Sequence, residues 1–233
     1  MTAGMLVPPP PRPASVRRMD TIDKKAPRQR RPQAERSAET RIKLIEAAIT
    51  CLNATGYSAT TVSTVAEAAG VSRGAMTHQF PAKTDLMLAV VAHVFEEDSA
   101  FYAERIANMD PHQFLLELPE MMWGVISRPA GIAVIEIMMA TRSDPVLATQ
   151  LRELQSGIDT RAHRWSGERM RAAGFEPHPD GEAIHEVFVA AVRGLAIEAT
   201  FMDNRESVRR SIAVLSAVLR QLYPALQSDK PRK

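Results

Sequence analysis

Between residues 36 and 223 the apolar positions recur every three or four residues, the period of a helix with one buried face. Ile42, Ile45, Ile49 and Leu52 follow this spacing, with Glu39 and Arg41 on the polar side, and predict a helix that starts near Arg36. Gly56 follows the last periodic residues, where a glycine suits a helix C-terminal cap. A second helix fits 62–69, with Thr61 as its N-cap and Val65, Ala66 and Ala69 facing inward. Ser72 caps a short third helix over 73–80, and Pro81 stops it. Further helices fit 83–108, 111–127, 131–141, 145–173, 181–203 and 206–223, with prolines or glycines at most junctions. No alternating strand pattern and no internal repeat interrupts them. The predicted fold class is all-α, about nine helices in total.

Charge and proline divide the chain further. Residues 1–36 carry nine Lys or Arg against three Asp or Glu, whereas 37–90 balance and 91–233 are net acidic. Seven of the sixteen prolines lie in the same first 36 residues. That stretch has little to bury and reads as a disordered basic arm able to add salt-sensitive contacts to DNA phosphates. Two blander readings stand beside it: a solvated tail, or a start at Met19. The other expected units are a reading domain over 37–84, a larger domain over 85–226 and a tail over 227–233. No apolar run reaches the roughly 18 residues of a membrane span, and no export signal is evident, so the expected location is the cytoplasm. The lone Cys51 excludes a disulfide framework and a zinc site built on several thiolates.

Residues 62–80 have the mechanics of a helix-turn-helix. Gly70 permits the sharp turn, and Val71, Met76 and Phe80 can pack back on the preceding helices. Arg73, Gly74, Thr77, His78 and Gln79 are left on the other side. This short, hydrogen-bonding and partly basic set suits a helix N-terminus entering the major groove.

The run Thr61-Val-Ser-Thr-Val-Ala-Glu-Ala-Ala-Gly-Val-Ser-Arg-Gly-Ala-Met-Thr-His-Gln-Phe-Pro-Ala-Lys-Thr-Asp-Leu86 resembles the N-terminal DNA-binding domain of the TetR/AcrR family of transcriptional regulators. The likeness extends back to Arg36, and the Phe-Pro-x-Lys-x-x-Leu tail at its fixed distance makes it specific. It implies that Arg73 reads base edges, that the backbone at Gly74 approaches DNA closely, and that Thr61 and Ser63 reach bases or phosphate. It also implies phosphate contacts from Thr77, His78 and Lys83. The family usually has tyrosine where this chain has Thr77, which removes the aromatic reach. Thr61 can equally serve as a helix cap alone, and His78 as a solvated side chain.

The last two predicted helices are apolar on two sides. One face can serve the chain's own core, and the second calls for a partner. Ala190, Gly194, Ile197, Phe201, Val214 and Val218 supply that second face, and both the pattern and the resemblance imply a homodimer. The alternative is a helix fully buried in one large core. Two short reading helices spaced by about one turn of DNA would read a palindrome.

The middle helices carry Phe114, Leu118, Met122, Trp123 and Met139, and Phe188 follows on the next to last. Adaptable methionines and aromatics of this kind line apolar cavities as well as plain cores. The resemblance implies a small effector here, largely apolar, with Glu136, His163 or Arg193 orienting a polar end. The expected function is a sequence-specific regulator, a repressor released from a palindromic operator by that effector. The rivals are a regulator controlled by another protein and, more weakly, an all-helical enzyme. For the enzyme, the pair His93 and Glu97 and the group His178, Asp180 and His185 form no established catalytic or metal pattern. No cofactor or metal is expected, and the expected partners are double-stranded DNA, a second copy and a small molecule, with no membrane.

Overall fold

The computed structural model describes residues 33–223, apart from 108, 173, 177 and 204. The greater part of the expected basic arm and the whole expected tail lie outside the described residues. Within them the chain forms nine α-helices and no strand. These are α1 (Gln33–Ala59), α2 (Val62–Ala68), α3 (Arg73–Gln79), α4 (Lys83–Ile106), α5 (Pro111–Ile126), α6 (Pro129–Ala140), α7 (Pro145–Ala172), α8 (Gly181–Glu198) and α9 (Arg205–Leu222).

Helix α1 begins at Gln33, so residues 33–36 belong to a helix and not to the arm. Its buried line is Leu44, Ile45, Ala48 and Leu52, while the expected core residue Ile42 is 40% exposed. The stripe runs through i, i+4, i+8 from Leu44, and Ile42 falls off its edge. Gly56 breaks the helical geometry with φ of 74°, in the left-handed region that glycine enters without a Cβ penalty. Beyond it, Thr60 donates its hydroxyl to the Gly56 carbonyl at 2.8 Å and is itself fully buried.

Buried apolar residues form two clusters. The first joins α1, α2 and α3 to the first half of α4 and then to Ala133, Ile137, Leu147 and Leu151 of α6 and α7. The second gathers Phe114, Leu115 and Met122 of α5 with Phe188 and Val192 of α8 and Ile212 and Leu219 of α9. The core therefore does not break at residue 84, because α4 contributes its buried face to helices on both sides.

A tight corner joins α5 to α6, which meet at 75°. A Cβ on the buried Gly131 would overlap the Ile126 carbonyl oxygen and lie 2.7 Å from that of Val125. Helix α6 starts at Pro129, two residues before the expected position, because proline is well suited to the first turn. Arg128 at this corner pairs with Asp98 and Glu97 of α4. Burial pushes the Asp98 carboxyl up to about 6 even beside this guanidinium.

Helix α8 ends at Glu198 and not at 203. The Thr200 hydroxyl donates to the Ile197 carbonyl at 2.7 Å and the chain turns, so Phe201 sits in a turn and not on a helix face. No single helix among the described residues is long and apolar enough to cross a membrane.

Candidate nucleic-acid interface and effector cavity

Helices α2 and α3 are two turns each, too short to persist alone, and their ends are held by side chains. Thr61 and Thr64 form a reciprocal capping box: the Thr64 amide donates to Thr61 Oγ1 at 3.1 Å, and the Thr61 amide to Thr64 Oγ1 at 2.8 Å. The Ser72 hydroxyl accepts from the Ala75 amide at 3.2 Å. Gly70, with φ of 63°, allows the Val71 amide to return to the Ala66 carbonyl at 2.9 Å. Val65, Met76 and Phe80 bury the inner side of the pair.

On the outer side Thr61, Ser63, Arg73, Gly74, Thr77 and His78 are all exposed. A Cβ at Gly74 would meet nothing of this chain within 4 Å, so internal packing does not require the glycine. Two expected members of this set are engaged elsewhere. Gln79 donates its side-chain amide to Ser37 Oγ at 2.7 Å and thereby ties α3 to α1. Lys83 donates to the Tyr57 carbonyl at 2.6 Å with its ammonium 3.7 Å from the Tyr57 ring centroid. Burial lowers the Lys83 pKa, against the opposing pull of Asp144.

Tyr57 is the centre of a larger junction. Its amide donates to Glu136 of α6 at 3.2 Å, and its phenol to Asp144 at 2.9 Å. Asp144 also accepts from the Leu147 amide at 3.0 Å, which caps α7. Burial and the Asp144 contact push the Tyr57 phenol up to about 12. Glu136, expected to face a ligand, is thus a strut beneath the end of α1.

A cavity of about 1150 Å³ opens between α5, α7, α8 and the end of α9. Of the residues expected to line it, Leu118, Met122, His163 and Phe188 do so. The others do not. Phe114 is buried in the second core, edge-on to Trp165. Trp123 belongs to a separate concavity with Phe201 and Val208, and Met139 is 52% exposed. Asp159 of α7, which sequence reasoning missed, and His185 of α8, weighed there only for catalysis, line the same cavity. The half-buried Arg193 lies close enough to Asp159 for that carboxylate to act on its pKa.

Residues 44–90 match the model of bacterial regulatory proteins of the tetR family. The chain is 29% identical to the HTH-type transcriptional regulator CymR of Pseudomonas putida over 197 residues, which cover 83% of this chain and 96% of that one. It is 31% identical to the HTH-type transcriptional repressor AcnR of Corynebacterium glutamicum, over 54% of this chain and 63% of the relative. A transcriptional regulator from Saccharomonospora viridis, solved in complex with choline, shares the fold with a TM-score of 0.63. That likeness covers 78% of this chain and 96% of the other at 16% identity. The chain thus carries a DNA-binding head of the tetR family of regulatory proteins, and its similarity to transcriptional regulators extends over most of its length.

The head and these relatives make it a DNA-binding regulator and not an enzyme. Four of the residues weighed for catalysis have structural occupations. His93 pairs with Glu97 one turn along α4 at 3.3 Å, and Glu97 also meets Arg128. His178 accepts the Asp180 amide at 3.0 Å in the turn before α8. Among the described residues no group of three or more His, Cys, Asp or Glu side chains could hold a metal.

The second apolar face of α8 and α9 is open in the single chain. Ala190 and Gly194 are exposed, with Ile197 at 42%, Val214 at 61% and Val218 at 38%, and Phe201, in the turn past α8, is 71% exposed. Val187, absent from the expected set, extends this face at 62%. Its place in the sequence, three residues before Ala190, was the available signal.

Proposed function

We propose that this DNA-binding regulator is a TetR-family repressor that binds a palindromic operator as a homodimer and is released by a small effector with a substantial apolar part. Residues 37–84 read DNA, and residues 85–226 take the effector and form the dimer. Arg73 pairs with a base edge, Gly74 admits the DNA backbone, and Ser63, Thr77 and His78 contact the sites around it. Repression has the support of the AcnR relative, and dimerisation that of the open apolar face on α8 and α9. Phe201, Ile197 and Val214 are large apolar side chains that a soluble chain covers with a partner. A single two-turn reading helix contacts too few bases for useful specificity, and two copies remedy this.

The observation that carries the proposal is the continuity from cavity to reading head. Asp144 caps α7, whose later turns line the cavity, and the same carboxylate holds Tyr57 at the end of α1. An effector that prefers one setting of α7 therefore biases the setting of the head, and it shifts DNA affinity by its differential affinity alone.

The test is selection of genomic fragments by the purified protein, followed by binding of the best fragment across a salt series for wild type and Arg73→Ala. A palindromic site at two chains per duplex, with specificity relaxed in the variant, is expected. Weak, sequence-blind binding that vanishes with added salt refutes the proposal.

A further inference from the structure

The cavity lining divides into two chemistries. Leu115, Leu118, Met122 and Phe188 form an apolar part between α5 and α8. His163 of α7 and His185 of α8 line it as well, their ring centroids 5.2 Å apart and their planes at 86°. Both imidazoles are half-buried. We infer that this cavity takes an amphipathic monoanion, a carboxylate on an apolar body, whose charge is met by the His163–His185 pair with uptake of a proton. The inference rests on the reading of this cavity as the effector site.

The charges around the pair favour this class. His185 is faced by His163 and Asp159 from α7, and by Arg193 and Glu186 from its own helix. Asp159 offsets the half-buried Arg193. The outer lining mixes the exposed Arg152 and Arg164 with Asp180, Glu182 and Glu186 and so selects no sign. What remains adaptable is the pair of imidazoles. Burial first, and His163 next, hold His185 below its ordinary 6.5, so the empty cavity carries it neutral at pH 7. A carboxylate beside the ring pair supplies the opposite charge that stabilises an imidazolium, and the hydrogen bond becomes charge-assisted. A neutral ligand takes up no proton, and an ammonium disfavours the imidazolium and takes up none either.

The sign of the pH dependence follows. Binding raises the histidine pKa, so proton uptake occurs above the free-state pKa. Affinity falls by up to tenfold per pH unit between the free-state and the bound-state pKa of the imidazole and levels off above the latter.

The experiment is titration calorimetry on the full chain with monocarboxylates of about six to twelve carbons, straight-chain and phenyl-substituted, each paired with its primary amide. Runs near pH 6, 7 and 8, in buffers of different ionisation enthalpy, count the protons taken up. An acid that binds about tenfold or more tightly than its amide, with close to one proton taken up at pH 7, is expected. His185→Asn and His163→Asn should each erase the preference for the acid while the amide still binds. Equal binding of acid and amide, preference for an amine, binding without proton uptake, or no binding by any acid overturns the inference. DNA release is read separately. An acid that binds with proton uptake and leaves DNA affinity unchanged refutes the effector reading alone, whereas release by neutral compounds only refutes the carboxylate and leaves the regulator standing.

Discussion

The Tyr57 phenol donates to the Asp144 carboxylate at 2.9 Å, across 87 residues of sequence. The bond joins the last turn of α1 to the cap of α7, and Lys83 and Glu136 hold the Tyr57 backbone from two further helices. Tyr57→Phe keeps the ring beneath the Lys83 ammonium and removes only this bond. The expected loss is about 1 kcal/mol of stability, the net value of one partly buried hydrogen bond. Urea unfolding of the two proteins checks it. A variant as stable as wild type shows that water replaces the contact without cost.

Arg73 carries no packing role, so its removal is expected to act on DNA and not on the fold. Arg73→Ala should weaken specific binding by about 1–3 kcal/mol and relax preference at one base position. Thr77→Ala and His78→Ala should instead weaken binding to all sequences alike. Fluorescence anisotropy with operator and scrambled duplexes separates the two patterns.

These two contacts show what the sequence carries and what it does not. The head was legible because its determinants act locally: Thr61, Ser72 and Gly70 each fix a turn within five residues of themselves. Glu136 stood out as the polar residue in an apolar run, but its partner lies 79 residues away and no spacing rule connects them. Lys83 was read toward phosphate by resemblance, while its hydrogen bond goes to Tyr57. The end of α8 was read five residues late because Phe201 and Met202 extend the apolar pattern into a turn. Periodicity records apolarity and not backbone direction.

Asp98 makes stability depend on pH in a direction opposite to that of an ordinary ion-paired carboxylate. Its folded pKa of about 6 exceeds the roughly 3.9 of an unfolded aspartate, so the fold favours the protonated form. The stabilisation is full below about pH 4 and is lost as pH rises through 6. The difference between the two values corresponds to about 3 kcal/mol. Asp98→Asn, which keeps an acceptor for Arg128, should gain that much relative to wild type between pH 4 and 7. Parallel stability profiles of the two proteins in urea unfolding would exclude it.

Val187 and Val214 are each about three-fifths exposed in the single chain. Val187→Glu combined with Val214→Glu should therefore leave monomer folding intact, dissociate the dimer and abolish tight operator binding. Sedimentation reads the mass, and circular dichroism the fold. A dimer that survives both charges must use another face.

Gly131 packs against the preceding turn so closely that a methyl group has no room. Gly131→Ala is expected to cost about 3 kcal/mol, near the upper end for overpacking a core. Thermal unfolding measures it, and a loss under about 1 kcal/mol would mean that the corner between α5 and α6 yields.

The division of labour within α3 has an evolutionary consequence. Met76 and Phe80 hold the helix in place, and Arg73, Thr77 and His78 contribute nothing to that hold. The residues proposed to recognise an address are separate from those that maintain the shape. Mutations can therefore rewrite the address at almost no cost to folding, so duplicated copies of such a gene are free to acquire new targets while the same scaffold persists beneath them.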